Sequence, residues 1–252
     1  MPDKCIGCGY CFRHCPNDVH RMDGGRHVLH RSACRGCGLC AQECYAGALE
    51  IIGRDITVAT ALQEALRDRP FYEASGGGIT LSGGEPMMQI DFTAALLRAA
   101  KEQGLHTCVE TSGYCESERF ERIMADTDLF LYDIKETDRE RHRQYTGVPL
   151  DPILENLRTL HEAGATIILR LPIVPGVNDR DGHFEAVAAL ARRLPRLNGV
   201  ELLPYHRLGT AKLARLGLPT EGRVDCDAPD RSVVKAWVSK LRELGVTALN
   251  AG

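Results

Sequence analysis

Beyond Ile51 the chain alternates amphipathic stretches with short apolar runs, a pattern typical of α/β proteins. Apolar positions that recur every three to four residues, together with capping residues, predict helices at 58–69, 91–103, 117–125, 152–163, 182–194 and 230–244. Short apolar runs predict strands at 78–82, 106–110, 129–133, 166–171 and 199–203, with a weaker one at 246–249. Strands separated by helices favour a parallel sheet.

The first 52 residues show no such alternation and instead hold eight of the eleven cysteines. These form two runs with the spacing CxxCxxCxxxC, made of Cys5, Cys8, Cys11, Cys15 and of Cys34, Cys37, Cys40, Cys44. Three thiolates at this spacing bind three corners of a 4Fe-4S cluster, and the fourth cysteine of each run ligates the other cluster. The spacing therefore assigns one cluster to Cys5, Cys8, Cys11 and Cys44, and a second cluster to Cys34, Cys37, Cys40 and Cys15.

The alternatives for this segment are two zinc knuckles or free thiols, although zinc sites usually use two separated pairs of ligands. A segment of about 50 residues buries too little surface to fold unaided, so we expect metal binding to supply part of its folding energy. Its histidines have no ligand spacing and are expected to be solvated loop residues; they are His14, His20, His27 and His30. We predict two domains, 1–52 as a ferredoxin-type module and 53–252 as an α/β domain.

Composition and charge exclude some classes of binding partner for this protein. A formal charge of -3 provides no basic excess to neutralise phosphates, so nucleic acid is not an expected partner. No apolar run approaches the roughly 18–20 residues that span a bilayer, and the first residues lack an apolar signal segment. We therefore expect no membrane association and a cytoplasmic location. A reducing compartment does not maintain disulfides, which indicates that most of the cysteines bind a metal or cofactor.

Polar residues stand where the predicted strands end. The strands run into Ser82-Gly83-Gly84-Glu85, Glu110-Thr111 and Asp133-Ile134-Lys135, while Arg170 lies near the end of the fourth and His206 follows the fifth. The carboxyl ends of parallel strands meet at one edge, where ligands bind in α/β proteins. Taken singly, a glycine turn, a solvated lysine or a capping histidine would explain each feature. Their coincidence at five strand ends favours a binding site.

These segments together resemble a known family. A two-cluster ferredoxin segment followed by ASGGGITLSGGEP, HTCVETSGY, LYDIK, LRLPIVPGVND and ELLPYHRLG is similar to the glycyl radical enzyme activating enzymes of the radical SAM superfamily. The resemblance covers nearly the whole chain. The ferredoxin segment is similar to the subgroup that serves decarboxylases, eliminases and dehydratases, since the pyruvate formate-lyase activating enzyme lacks it. The resemblance implies a partial (β/α)6 barrel behind the ferredoxin-like module.

The resemblance also implies roles for the residues at the strand ends. It places the methionyl amino group of S-adenosylmethionine at Ser82, Gly83, Gly84 and Glu85. The segment Asp133-Ile134-Lys135 matches the DxK motif of the family, and the cofactor's carboxylate and ribose are expected near Lys135, Arg170 and His206. Positions that coordinate a monovalent cation in some members match Glu110, Thr111 and Asp133.

The activity that the resemblance implies is the activation of a glycyl radical enzyme. The two ferredoxin-type clusters would relay an electron, received from reduced flavodoxin or ferredoxin, to a third 4Fe-4S cluster that cleaves S-adenosylmethionine reductively. The resulting 5′-deoxyadenosyl radical would take a hydrogen atom from a glycine of the partner enzyme. In such enzymes the cofactor supplies the radical chemistry, while the protein supplies orientation and exclusion of water.

One motif of the family is absent from these 252 residues. Radical SAM enzymes bind the catalytic cluster through CxxxCxxC, a spacing that Cys108, Cys115 and Cys226 do not provide. Without an earlier strand, the run 79–82 would also lie at an open sheet edge. We therefore expect that an N-terminal truncation removed a first strand and the catalytic motif, and that the chain alone is inactive. The alternative function is a two-cluster electron carrier or an inactive barrel remnant.

Overall fold

The structure is a computed structural model that describes residues 1–207, 209, 213, 215–216 and 226–249. The chain forms two compact units. The first consists of Met1–Ile56 together with the described residues between 208 and 223, and the second consists of Thr57–Arg207 with the described residues from 226 onward. Within the described ranges, no helix has both the length and the apolar character that crossing a bilayer requires.

Within Met1–Ile56, the first unit has two short α-helices and a hairpin. Its elements are α1 (Tyr10–His14), β1 (His20–Asp23), β2 (Arg26–Leu29) and α2 (Leu39–Gln42), with β1 and β2 antiparallel. Each helix begins after a glycine with a left-handed backbone, Gly9 at φ 71° and Gly38 at φ 80°. A side chain would strain that conformation, so glycine is favoured there. This turn places the third cysteine of each run, Cys11 and Cys40, in the first turn of its helix.

The interior of the first unit is small. In Met1–Ile56 the buried hydrophobic residues are Val19 and Ala48, and the buried polar residues are His20 and His27. The expectation that all four histidines of this segment are solvated is therefore wrong for two of them, since His20 is 1% and His27 8% exposed. Both project from the same face of the hairpin, because Met22 pairs with His27 and side chains alternate along a strand. His14 and His30 are exposed, as expected.

The second unit is built on a parallel sheet. Its strands are β3 (Gly78–Leu81), β4 (His106–Thr111), β5 (Leu129–Asp133), β6 (Ile167–Ile173) and β7 (Val200–Pro204), and they lie in the order β3-β4-β5-β6-β7. The predicted α/β class is confirmed. The strand order follows the sequence without the reversal that a doubly wound sheet shows, which is the winding of a barrel. The predicted strand at 246–249 is reduced to a single bridge between Ala248 and Val200.

Helices alternate with these strands. They are α3 (Val58–Ala65), α4 (Arg69–Ser75), α5 (Ile90–Glu102), α6 (Ser117–Glu121), α7 (Arg139–Thr146), α8 (Asp151–Glu162), α9 (Asp181–Arg193) and α10 (Arg231–Glu243). The helix predicted at 58–69 ends early, because a 3-10 turn at Leu66–Asp68 precedes α4. The sequence analysis missed α7, which is almost entirely polar and begins at the capping residue Asp138. Because this helix has no apolar stripe, its sequence lacks the periodic pattern by which helices are predicted.

The strands bury one face and leave polar residues on the other. In β6 every second residue is buried, namely Ile167, Leu169, Leu171 and Ile173. The half-buried Arg170 therefore projects from the opposite face. Parallel register aligns Arg170 with Asp133 of β5 and with Glu201 of β7. The sheet thus carries a row of charged side chains on the face that does not form the hydrophobic core.

Candidate functional site

A polar cavity of about 250 Å³ lies where β3, β4 and β5 end. It is lined by Ser82, Gly83, Gly84, Glu85, Glu110, Thr111, Ser112, Asp133 and Lys135. All but Ser112 are residues that the sequence analysis had singled out. Parallel strands bring them together because all their carboxyl ends lie on one edge of the sheet.

Glu85 joins the first two of these strand ends. Its Oε1 accepts hydrogen bonds from the Thr111 hydroxyl at 2.7 Å and from the Met87 amide at 3.3 Å. Its Oε2 accepts from the Ser112 amide at 2.8 Å and from the Ser112 hydroxyl at 2.6 Å. A carboxylate offers about four acceptor positions, so this side chain is saturated by its own chain. Glu85 therefore holds the glycine loop against the end of β4.

The two glycines next to Glu85 border open space. A Cβ built on Gly83 or Gly84 meets no protein atom within 4 Å, and Gly83 has a φ of 128° that L side chains rarely adopt. The backbone of this loop is therefore bare toward the cavity. Bare backbone at the end of a parallel strand permits the close approach of a ligand.

Asp133 and Lys135 lie at the end of β5. Asp133 Oδ2 is 3.5 Å from the Lys135 ammonium, while Oδ1 is buried and has no hydrogen-bond partner among the described residues. Burial raises the pKa of the Asp133 carboxyl above its ordinary value, and the nearby Lys135 only partly offsets that effect. An acceptor that is buried and unpaired is costly, which favours a ligand donor at this position.

Arg170 is engaged with carboxylates rather than open to the cavity. Its guanidinium lies 2.9 Å from Glu110 and 3.0 Å from Glu201. Two carboxylates compensate its single positive charge, so its capacity to attract an anionic ligand is reduced. The sequence analysis missed Glu201, although a lone acidic residue inside the apolar run of β7 is a recognisable signal.

Two further predicted site residues do not line this cavity. Ile134 is 1% exposed and belongs to the hydrophobic core, with its amide donating to the Arg170 carbonyl at 2.9 Å. Alternation along the chain turns its side chain away from its neighbours Asp133 and Lys135. His206 is exposed and follows β7 directly.

A second cavity, of about 320 Å³, lies within the first unit. Its lining includes five cysteines, namely Cys5, Cys8, Cys11, Cys40 and Cys44. Four of these are the set that the spacing assigned to one cluster, including Cys44 from the other run. The Cys44 thiol also accepts from the Leu49 amide at 3.4 Å, and the Cys34 thiol accepts from the Gly36 amide at the same distance. Amides directed at sulfur are typical of iron-sulfur sites.

Three cysteines of the second assigned set also lie near one another, namely Cys15, Cys34 and Cys40. Burial raises the pKa of the Cys40 thiol, and the proximity of Cys15 and Cys34 raises it further. Backbone amides of Val19 and Asn17 have the reverse effect and lower the pKa of Cys15. Close thiols that repel each other as thiolates become favourable ligands once a cationic metal binds between them.

One histidine lines the cysteine-lined cavity of the first unit, and a second histidine lies behind it. His27 lines the cavity, and its Nε2 is 3.6 Å from Cys11 Sγ and 2.9 Å from His20 Nδ1. Burial lowers the pKa of both imidazoles below the ordinary histidine value. The sequence analysis missed their proximity to a cysteine. The available signal was the Gly24-Gly25 pair: a two-residue hairpin turn there pairs Met22 with His27, and His20, two residues before Met22, lies on the same face.

Cys108 and Cys115 lie outside the two runs and in the second unit. Cys108 is buried in β4, and burial raises the pKa of Cys115 to about 12. A thiol with so high a pKa is protonated at neutral pH and is a poor metal ligand.

Comparison with known proteins identifies relatives that align with most of the chain. The model of the Radical SAM superfamily matches residues 6–186. The chain is 38% identical to the choline trimethylamine-lyase activating enzyme of Oleidesulfovibrio alaskensis, over 94% of this chain and 79% of that protein. It is 40% identical to the isethionate sulfite-lyase activating enzyme of Desulfovibrio desulfuricans, over 86% of this chain and 71% of that protein.

Solved structures agree at the level of the fold. A domain of a pyruvate-formate lyase-activating enzyme from Bacteroides vulgatus is 28% identical, with a TM-score of 0.57 over 70% of this chain and 99% of that chain. A radical SAM methyltransferase from Sphaerobacter thermophilus has the same TM-score of 0.57 at 18% identity, over 81% of this chain and 59% of that chain. The second likeness extends to the fold alone.

Proposed function

The chain belongs to the radical SAM superfamily, as a relative of its glycyl radical enzyme activating enzymes, and on that premise we propose that it uses S-adenosylmethionine to activate a glycyl radical enzyme. The observation that carries this proposal for the chain's own residues is the polar cavity at the strand ends. It combines bare glycine backbone, an unpaired buried carboxylate oxygen and an ammonium group. Those are the complements of an amino acid ligand.

The cavity fits one end of S-adenosylmethionine. Small-molecule sites usually enclose about 300–1,000 Å³, so the cavity of about 250 Å³ suits the methionyl group better than the whole cofactor. In our proposal the buried Asp133 Oδ1 accepts from the methionyl ammonium, and Lys135 pairs with the carboxylate. Gly83 and Gly84 admit the ligand backbone.

Glu85, Thr111 and Ser112 orient this site rather than contact the ligand. Because Glu85 is saturated by Thr111, Ser112 and Met87, its role in the proposal is to keep the glycine loop in register with β4. Glu110, which lines the cavity, pairs with Arg170, and the opposite charges of the two have opposing effects on Asp133. Preorganisation of this kind lowers the cost of ligand binding.

We also propose that the first unit holds two 4Fe-4S clusters, one on Cys5, Cys8, Cys11 and Cys44 and one on Cys34, Cys37, Cys40 and Cys15. Four thiols from two runs around one cavity support the first set. The electron donor would be reduced flavodoxin or ferredoxin, consistent with a cluster module of this type. When bound, S-adenosylmethionine and the cluster that cleaves it supply a carbon-centred radical that takes a hydrogen atom from the partner's glycine.

The proposed function is tested with protein expressed from its complete reading frame and reconstituted anaerobically. We mix it with a glycyl radical enzyme from the same genome, dithionite and S-adenosylmethionine. We expect a glycyl radical in the electron paramagnetic resonance (EPR) spectrum and stoichiometric 5′-deoxyadenosine. Asp133→Asn should weaken binding of radiolabelled S-adenosylmethionine in equilibrium dialysis by about tenfold, the effect of one lost charged hydrogen bond.

Asp138→Asn is the matched control, because it makes the same change at an exposed helix cap outside the cavity. It should bind S-adenosylmethionine like the unaltered protein. Equal binding by the Asp133 and Asp138 variants would refute the assignment of the cavity. A protein with its full iron content that takes up electrons and forms no 5′-deoxyadenosine would support the alternative, a two-cluster electron carrier.

A further inference from the structure

The hairpin of the first unit carries a feature that the activating function does not by itself require. His20 and His27 are buried side by side, with His20 Nδ1 2.9 Å from His27 Nε2. The same Nε2 lies 3.6 Å from Cys11 Sγ. Phe12 covers the pair, with its ring centroid 5.9 Å from that of His20 and 5.8 Å from that of His27. A buried imidazole is thus held against a cysteine sulfur.

The direction of the hydrogen bonds follows from the chemistry of Cys11. A cysteine bound to iron is a thiolate and can only accept, so a hydrogen bond between His27 and Cys11 requires that Nε2 of His27 carries the proton. That single N–H then lies between two acceptors, Cys11 Sγ and His20 Nδ1. His20 consequently carries its own proton on Nε2, which is buried and has no hydrogen-bond partner among the described residues. This arrangement fixes the tautomer of both rings.

The same three side chains do not form a good metal site of their own. Cys11, His20 and His27 do place one potential ligand atom each within 4.8 Å of one another. Two imidazole nitrogens bound to a tetrahedral zinc at about 2.0–2.1 Å would stand about 3.3 Å apart. The observed 2.9 Å is a hydrogen-bond distance. Cys11 also belongs to the cavity lined by four other cysteines.

We propose that His27, held by His20, donates a hydrogen bond to the sulfur of Cys11 and thereby raises the reduction potential of the 4Fe-4S cluster bound by Cys5, Cys8, Cys11 and Cys44. The inference rests on the cluster assignment within the proposed function. Reduction adds a negative charge that spreads onto the sulfurs, and a donor directed at sulfur stabilises that charge. The burial of His27 strengthens the effect, because little water screens the interaction.

The side-chain donor distinguishes this cluster from the second one. The sulfur of Cys34 in the second cluster accepts from the Gly36 amide, and the sulfur of Cys44 in the first cluster accepts from the Leu49 amide; no side-chain substitution removes either donor. The hydrogen bond to Cys11 comes from a residue that can be exchanged. His27 is therefore a positioning residue whose contribution to one potential can be measured with the other cluster as an internal reference.

The test is an EPR-monitored redox titration of the reconstituted full chain, with iron and sulfide analysis. The reduction wave that is missing in Cys8→Ala identifies the first cluster. In His27→Phe, which replaces a buried ring by one of similar size, we expect unchanged iron content. The ratio of reduced to oxidised first cluster at fixed potential should fall about tenfold, which corresponds to a shift of about 59 mV for a one-electron couple. The second cluster should not change.

Two further variants separate hydrogen bonding from packing. His27→Gln retains an N–H donor and should recover most of the shift, whereas His30→Phe makes the same ring exchange at an exposed site and should have none. If His27→Phe and the unaltered protein both bind eight irons and their clusters have identical reduction potentials, the inference is refuted but the cluster assignment is not. Stoichiometric zinc without sulfide would instead overturn the cluster assignment. If His27→Gln shows the same lowered potential as His27→Phe, the shift comes from packing and not from a hydrogen bond, and the inference is also refuted.

Discussion

The two units of this protein are stabilised in different ways. The hydrophobic core cluster draws its buried members from Leu81 to Val246, all in the second unit, where strands and helices pack together. In Met1–Ile56 the buried hydrophobic residues are Val19 and Ala48, while cysteines and two histidines surround a cavity. The difference indicates that burial of apolar surface stabilises the second unit, and it supports our proposal that metal binding stabilises the first.

The two units also differ in how their polar groups are compensated. In the second unit, charged side chains are compensated by one another, as Arg170 is by Glu110 and Glu201. In the first unit, close thiols disfavour one another's ionisation until a cation binds among them. Apart from the unpaired Asp133 oxygen of the proposed ligand site, the charges discussed in the second unit are compensated within the polypeptide, whereas our proposal assigns that role to a metal in the first unit.

Removal of iron should have the largest effect. We expect chelation under oxidising conditions to lower amide protection in α1, β1, β2 and α2 by about 100-fold or more, because the proposed clusters would supply much of the folding energy of this unit. Protection in β4, β5 and β6 should persist. Hydrogen exchange followed by mass spectrometry measures both regions in one sample. Equal protection of the first unit with and without iron would show that its polypeptide is stable alone.

A buried carboxylate in the second unit should have the next largest effect. Glu136 is 1% exposed, and its Oε1 accepts from the amides of Thr137 at 2.7 Å and Asp138 at 2.9 Å and from Arg180. Burial alone would raise its pKa, but these bonds and the nearby His183 outweigh it and lower the pKa to about 2. Loss of such a buried, bonded charge costs about 3 kcal/mol, which we expect for Glu136→Gln at neutral pH.

The sign of the pH dependence follows from the lowered pKa. Glu136 contributes stability above the ordinary glutamate pKa of about 4.3, and this contribution is lost as the pH falls toward about 2. Denaturant titrations at several pH values should therefore show a smaller difference between Glu136→Gln and the unaltered protein in acid. Glu140→Gln, on the exposed helix α7, serves as control. A difference that stays constant with pH would contradict the assignment.

A matched pair of core substitutions should have the smallest effect and sharpen the comparison most directly. Val109 of β4 is 0% exposed and Val19 of the first unit is 3% exposed. Val109→Ala should lower the unfolding free energy of the sheet by about 2 kcal/mol, through lost burial and a residual cavity, with no change in iron content. Val19→Ala should instead speed iron loss to a chelator. If both variants lower sheet stability equally, the two units do not differ in the way described.

Much of the fold was predictable because its signals are local. The strand at 129–133 was predicted with its observed bounds, and β3, β4, β6 and β7 differ from prediction by one or two residues at an end. Periodicity and glycines mark each element within its own stretch of chain. The polar helix α7 and the break before α4 escaped, because neither disturbs the apolar pattern on which such predictions depend.

By itself the sequence determined the alternation of strands and helices, the residues at the strand ends and the cysteine spacing, since each depends on neighbours along the chain. Only the tertiary structure decided how these residues are used. It saturated Glu85 with Thr111 and Ser112, whose separation from it is 26 and 27 residues. It likewise buried His27 against Cys11, a contact between residues 16 positions apart that the sequence pattern did not indicate. Hydrogen bonds depend on positions set by sheet register and packing, and the chain settles those only when it folds.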